Sequence, residues 1–362
     1  IEVTDDTNLP RIDYSPYTSA GTCGHWLLEQ ASINRLTYSE DFTQSIWANA
    51  RSSGATNQIT SPDGTTTGYK LIDSTNNGTH LLFSNQTVTT SAVFAFSVFL
   101  KKGSLNNAFI AFDSSIDQSV VFDLQNGTIV STGSDVTSSK IENFGNGWFK
   151  CSFTHTPTST TRLYRVGTYN GSISYAGTGN DFIYCWGAQL EQQSFATSYI
   201  PTTGSAGVRN QDLANNSGSS DLISSTEGVF YIEAKTNNSS VGSISINDGT
   251  LSIRITARFR TDTSKIQMTV SGSTNDFNFN SSTLTLSQYN KIAIVYNSSG
   301  QYYFFINGVK SAVQSEGTFS ANSFTQFDFN RGGGGEIFYG NVKCVAVFKE
   351  ALTDAELTCL TS

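Results

Sequence analysis

Two groups of residues invite a chemical reading before any element is placed. Arg331 opens the string Arg331-Gly-Gly-Gly-Gly335, and Arg254 and Arg258 stand four residues apart in the run TLSIRITARFR. Side chains alternate across a strand, so Arg254 and Arg258 share one face as a cationic stripe. Guanidinium groups pair with carboxylates and similar anions through two parallel hydrogen bonds, so such a stripe suits an acidic glycan. The glycine string follows a strand and opens no helix, so it lacks the geometry of a phosphate cradle. It reads as a mobile loop with Arg331 as a ligand contact. Reactive centres are harder to find. His25, His80 and His155 lie far apart and in no nucleophile or metal motif; His155 ends a strand and reads as a surface residue. Glu350 and Glu356 fall at a strand end and a helix start, where capping and solvation explain them. Cys23, Cys151, Cys185, Cys344 and Cys359 form no CxxC pair. Cys151, Cys185 and Cys344 sit in apolar runs, as small core residues do. One disulfide is open to these five; a disulfide framework is not.

Sugar binding asks for less than catalysis. A pyranose offers apolar faces to aromatic rings and hydroxyl edges to amides, carboxylates and arginine. In NAFIAFD, Phe109, Ala111 and Asp113 share a face; in SVVFD, Val121 and Asp123 do. Carboxylates on otherwise apolar strands suggest a groove. Arg162 and Tyr164 share a face of a later strand, and Tyr169 follows near its end. Asp113, Asp123, Arg162, Tyr164 and Tyr169 are therefore expected ligand contacts, alongside Arg254, Arg258 and Arg331. The alternative for each is an ordinary solvated sheet face. Trp47, Trp148 and Trp186 read as packing residues; Trp26 is unassigned.

The elements that must hold these residues are strands. Only 14% of the 362 residues are charged and 12% are aromatic, with five prolines and a Ser/Thr/Asn/Gly-rich remainder. That is the profile of an all-β protein rich in turns. Strand-like runs recur at 93–102, 107–112, 119–127, 147–153, 162–169 and 181–190, then at 228–236, 250–260, 265–272, 291–297, 301–310, 325–330 and 341–350. In 250–260, Leu251, Ile253, Ile255, Ala257 and Phe259 alternate with the arginines. Asn126-Gly127 and Asn307-Gly308 predict type I′ hairpins. Thr353-Asp-Ala-Glu356 is a capping box opening a short helix.

The expected organisation is an extended N-terminal lead-in or attachment segment at 1–33, joined to something upstream or packed on the first domain. A β domain follows at 34–204, then a linker at 205–226 and a second β domain at 227–362. The net charge of −8 divides evenly: up to Asn210 there are 11 basic and 16 acidic residues, beyond it 10 and 13. Neither half is a basic module, which argues against nucleic acid. No apolar run reaches membrane-spanning length, so no membrane insertion is expected. Ile1 is not an initiator, and the chain reads as a fragment or processed product.

The stretch Asn34–Trp47 (NRLTYSEDFTQSIW), followed by SPDGTTTGYKL, FAFSVFLKKG, GNGWFKCSF and DFIYCWGAQLE, resembles jelly-roll modules of bacteriophage tail-fibre and receptor-binding proteins. Those modules are similar to carbohydrate-binding modules of families 4 and 9. LPRIDY…LLEQASINRL resembles the segment that precedes such modules in phage fibres. QYYFFINGVK, the glycine string and IFYGNVKCVAVFKEALTDAEL resemble a laminin-G or concanavalin A-like sandwich. The resemblance implies two tandem antiparallel β-sandwich domains. In the carbohydrate-binding modules calcium often ties the first strand to the last, at places matching Tyr38–Thr43 and Tyr184–Gly187. Here Thr43 and Cys185-Trp186 replace the usual acids, so no calcium is expected to be required. Glu40, Asp41 and Glu191 are the nearby carboxylates that could still hold it. A concanavalin-like hydrolase would often carry Glu-x-Asp-x-x-Glu on one strand, and that string is absent.

The reading is a non-enzymatic receptor-binding or adhesion protein at a virion surface or otherwise extracellular. Its expected partners are a bacterial surface glycan and other virion or fibre subunits, in a homo-oligomer, with a trimer favoured. One alternative is a structural or decorating virion protein whose jelly rolls bind protein. Another is the ancillary carbohydrate-binding part of a secreted polysaccharide-degrading enzyme.

Overall fold

The computed structural model describes residues 11–14, 24–236, 240–272, 277–315 and 317–362; Cys23 and the start of LPRIDY lie outside them. The chain divides into two compact units. One is built from Ala31–Asn210. The other is built from Gln211–Ser362 together with residues 11–13 and 24–30. The segment expected to act as a lead-in therefore divides. His25–Leu28 pairs with Gly340–Phe348, whereas Ser32–Asn34 pairs with Gly207–Arg209. Residues expected to form a linker are also engaged: Asn216 N donates to Asp328 Oδ1 at 2.6 Å, and Ile223 is buried.

In the Ala31–Asn210 unit one six-stranded sheet runs, neighbour to neighbour, Thr128–Thr132, Ser119–Asp123, Asn107–Phe112, Thr161–Tyr169, Leu81–Thr87 and Ala48–Ala50. The second runs Ser138–Asn143, Trp148–His155, Phe94–Lys102, Phe182–Glu191, Gly68–Asp73 and Ser52–Ile59. Each strand pairs antiparallel with its neighbour. Phe96, Val98 and Phe153 from one sheet and Ile110, Phe122 and Val166 from the other share one core. Burial of each such side chain is worth about 1.5–3 kcal/mol against exposure. Trp47, Trp148 and Trp186 are buried, each with its indole N–H donated, to Tyr38 O, Thr60 O and Thr67 Oγ1.

The Gln211–Ser362 unit has one sheet with Gly340–Phe348, Gly228–Lys235, Asn290–Tyr296 and Gln301–Ile306 at its centre. Its other sheet is ordered Phe277–Asn280, Lys265–Ser271, Arg254–Arg260, Gly242–Asn247 and Gln326–Asp328. Phe230, Ile232 and Ile292 meet Ile244, Ile255, Phe259 and Met268 in its core. The helix Asp354–Thr361 carries the expected capping box and seats Leu357 against Val229, Tyr231 and Phe305. No helix among the described residues is long and apolar enough to cross a membrane.

Several local expectations change. Asn307 and Gly308 both have positive φ (49° and 80°) and close the two-residue hairpin between Ile306 and Val309. At the other Asn-Gly pair only Gly127 is left-handed (φ 67°), and its N–H bonds to Asp123 O across a wider loop. The run from 250 becomes a strand only at Arg254; Leu251 lies in a turn and is 41% exposed. Cys151 and Cys185 are buried free thiols, but Cys344, expected in the core, is exposed, as is Cys359; both are free. His155, expected at the surface, is fully buried and stacked on Phe112 at 3.9 Å.

Candidate functional site

The groove expected in the Ala31–Asn210 unit does not form from the residues named for it. Tyr164 is a core residue, 0% exposed, packed with Phe96 and hydrogen-bonded through its hydroxyl to His155 Nε2 at 2.9 Å. Alternation did put Arg162 and Tyr164 on one face, but it is the inner one, and Arg162 emerges only at the rim. There Arg162 pairs with Asp113 at 2.6 Å, and Asp113 also accepts the Leu163 N–H at 3.1 Å. Asp123 caps its own turn, accepting the N–H groups of Gln125 (2.8 Å) and Asn126 (3.0 Å) and the Asn126 side chain (2.7 Å). These bonds, the Asn126 side chain first, hold its carboxyl below the usual range. Tyr169 lies on the outer face and donates to Gly171 O at 3.0 Å.

The carboxylates named for calcium are each engaged in hydrogen bonds of their own. Among the described residues, no three His, Cys, Asp or Glu side chains gather as a metal set. Glu191 is fully buried and accepts bonds from Ser32 Oγ (2.6 Å), Thr197 N (3.0 Å) and Thr197 Oγ1. Glu40 accepts from the Tyr199 hydroxyl at 2.9 Å. Asp41 caps the next turn; burial pushes its pKa up, but bonds from Thr43 and Gln44 hold it below the ordinary value. The tie between first segment and last strand is made by an amide. Asn34, 0% exposed, accepts from the N–H groups of Leu36 and Leu190 and donates to Ala188 O and Ile200 O. One side chain thus satisfies four buried backbone groups that would otherwise each cost free energy.

In the Gln211–Ser362 unit the structure brings Arg254, Arg258 and Arg331 together. Ile255, Ala257 and Phe259 face the core, which turns Arg254, Thr256 and Arg258 outward. Antiparallel register sets Arg254 opposite Asn247 and Ser271, Thr256 opposite Ser245 and Thr269, and Arg258 opposite Ser243 and Gln267. Asn278 and Asn280 extend two of these rows, opposite Thr269 and Gln267. The result is a polar grid, tiled by hydroxyls and amides, with Arg254 and Arg258 at the two ends of one inner column. Arg254, Arg258, Thr269, Val270, Ser271, Asn278 and Arg331 line a cleft of about 270 Å³. Among the described residues no ring lines it, and those that do offer hydrogen bonds and positive charge.

The glycine string forms one wall. Gly332 to Gly335 have φ of 80°, 58°, 87° and 75°, and Glu336 follows at 47°. Five consecutive left-handed residues explain the glycines, because an L side chain there costs about 1–2 kcal/mol. The string read as a mobile loop adopts a left-handed turn. It is pinned by Arg331 N to Gly335 O at 3.1 Å, Ser245 Oγ to Asn330 O at 2.8 Å and Ser243 N to Glu336 O at 2.8 Å. Its end delivers Glu336 to the grid. Arg258 grips that carboxylate with two bonds, Nε to Oε2 at 2.8 Å and Nη2 to Oε1 at 2.6 Å. Ser243 Oγ donates at 2.9 Å and Arg331 Nη1 at 3.2 Å. Burial pushes the Glu336 pKa up, but bonds from Arg258 and Ser243 and the nearby guanidinium charges hold it below the ordinary value.

Glu336 was not singled out from sequence. It lies 78 residues from Arg258, and its only local signal is the glycine run before it. Thr269, Ser271 and Asn278 were also missed, though strict alternation in KIQMTVS places the first two outward. In the other unit Arg165 was missed as well. It stands on the outer sheet face between Ala111 and Phe83, half-buried, and burial lowers its pKa.

An antiparallel sandwich that presents a polar, arginine-bearing sheet face is the class this unit defines. Residues 222–358 match the family model described as the concanavalin A-like lectin/glucanases superfamily. No curated protein matches the chain. Among solved structures the chain is similar to the NanB sialidase of Streptococcus pneumoniae, at 15% identity over 39% of this chain and 25% of that one, with a TM-score of 0.32. The chain thus spans a quarter of the sialidase. It is also similar to a Bacteroides ovatus protein described as carbohydrate binding (15% identity, 75% and 80% covered, TM-score 0.25). A third is the LG4-5 region of the mouse laminin alpha1 chain (11% identity, 97% and 96% covered, TM-score 0.29).

Proposed function

We propose that the chain is a non-catalytic carbohydrate-binding protein whose Gln211–Ser362 unit takes an acidic saccharide in the Arg254–Arg258–Arg331 cleft. The observation that carries this reading is the convergence of three guanidinium groups on a face tiled with hydroxyls and amides. Anionic groups satisfy arginine in pairs of bonds, and sugar hydroxyls can bond Ser271 and the Asn278 amide N–H, whose oxygen accepts from Thr269 Oγ1 at 2.6 Å. The family match over 222–358, whose description names lectins and glucanases, supports a saccharide as the ligand. Glycoside hydrolysis normally needs two carboxyl groups, one of them protonated. Among the described residues no carboxyl group lines the cleft, and Glu336 beside it has its pKa held low and its oxygens committed to Arg258, Arg331 and Ser243, which favours binding over cleavage.

The wider setting follows from the motif order that resembles phage tail-fibre modules. In this reading the protein is a receptor-binding or adhesion component at a virion surface, a homo-oligomer such as a trimer, facing a bacterial surface glycan. A shallow cleft gains from several linked copies, since avidity multiplies weak contacts. A glycan array bearing uronic, sialic and neutral saccharides, probed with the full chain with and without chelator, tests the reading. Retention on acidic glycans, unchanged by chelator, is expected. Retention on neutral glycans alone, or on none, would overturn it, as would release of reducing ends from any polysaccharide.

A further inference from the structure

Glu336 occupies the position that an anionic ligand would need. Its carboxylate makes the two-bond contact with Arg258 that an external carboxylate would make, with Ser243 and Arg331 completing the shell. The group comes from no rigid strand. It is carried by a turn whose four glycines adopt left-handed geometry and whose outer side is open: an added Cβ at Gly334 or Gly335 would meet nothing within 4 Å. Glu336 itself pays a backbone strain there that glycine would not (φ 47°). Removing it from Arg258 frees the guanidinium, and the strain is relieved only when the turn, held by Ser243 N–H to Glu336 O at 2.8 Å, opens as well.

We infer that Glu336 is a tethered stand-in for the ligand's acidic group. Resting on the cleft being the saccharide site, the inference is that the carboxylate of an acidic sugar displaces Glu336 from Arg258 and Arg331, and that the turn swings outward to release it. A tethered group acts at a high effective concentration, of the order of millimolar for a short flexible link. Ligands must outcompete it. A neutral sugar offers Arg258 only hydroxyls and cannot, so the latch selects for anionic saccharides and keeps single-site affinity modest. The exchange is balanced in charge, one carboxylate for another, so the arginines are never left buried without a partner.

The test is titration of the full chain with free glucuronate, followed by calorimetry or by NMR shifts of the arginine Nε–H groups. Glu336→Gln keeps the shape and removes the charge. It should bind glucuronate about tenfold more tightly than the wild type. Gly334→Ala leaves the carboxylate intact but disfavours the left-handed turn (φ 87°), and should shift affinity in the same direction by a smaller factor. In the wild type, saturating glucuronate should speed amide exchange at Ser243 and Arg331, whose N–H groups hold the turn closed. Equal or weaker binding by Glu336→Gln, or slowed exchange at those amides, would show that Glu336 positions the arginines instead, and would overturn the latch while leaving the saccharide site standing. Failure of wild type and both variants alike to bind glucuronate or an acidic oligosaccharide would instead remove the site itself.

Discussion

Two ion pairs in this molecule have nearly the same local description. Arg162–Asp113 and Arg258–Glu336 each close at 2.6 Å, both are partly buried, and both acids have positive φ (52° and 47°). The difference lies in the backbone behind the acid. Asp113 exchanges backbone bonds with its neighbour strand: its N–H donates to Leu163 O at 2.8 Å, and its side chain accepts the Leu163 N–H. Aspartate also tolerates the left-handed region through such short local bonds. Glu336 is tied to its neighbour strand too, its O accepting the Ser243 N–H at 2.8 Å, but it hangs from four consecutive left-handed glycines, where Asp113 continues a strand. The same pair is thus a strand clamp in one unit and a latch in the other.

That comparison can be broken by substitution. The largest effect should come from Tyr164→Ala beside the clamp, which removes a fully buried ring and costs about 3–5 kcal/mol by denaturant unfolding; acidic-saccharide binding by the folded variant should be unchanged. A loss of binding with no loss of stability would return Tyr164 to a ligand role. Next, Arg258→Ala should weaken acidic-saccharide binding about 100-fold, or about 2.7 kcal/mol, whereas Arg162→Ala should leave binding alone and cost about 1 kcal/mol of stability. Asn34→Ala should lower stability by about 2–3 kcal/mol through its orphaned buried partners, and a chelator should leave the wild-type melting temperature where it was. A chelator-induced drop would restore calcium to that unit.

The smallest effect is one of pH. Burial first, then the Arg162 charge, lowers the His155 pKa from 6.5 to about 4. Between those values the unfolded ring holds more protons than the folded one, so stability falls as pH drops from 6.5 towards 4. His155→Gln should flatten that slope; an unchanged slope would place the titration elsewhere.

The sequence made the strands legible where one face is apolar. The alternation Ile255–Ala257–Phe259 survives intact, and the arginines it turns outward meet in the cleft. Polar edge strands such as Ser52–Ile59 (SSGATNQI) and Ser138–Asn143 gave no such signal, because little of them is buried. Alternation also tells which residues share a face, not which face is inside, and Tyr164 fell on the wrong side of that ambiguity. Glu336 was illegible for a different reason. Its role depends on a contact across 78 residues and on a turn conformation that four glycines permit without dictating its target.

If the arginine cleft recognises the acidic group of a saccharide, masking that group should remove most of the affinity. Calorimetric titration of the full chain with tetragalacturonate and with its methyl ester tests it most directly. Saturable binding of the acid is expected, with binding of the ester about tenfold or more weaker and the difference lost in Arg258→Ala. Equal binding of acid and ester by the wild type, or an acid preference that survives in Arg258→Ala, would contradict it.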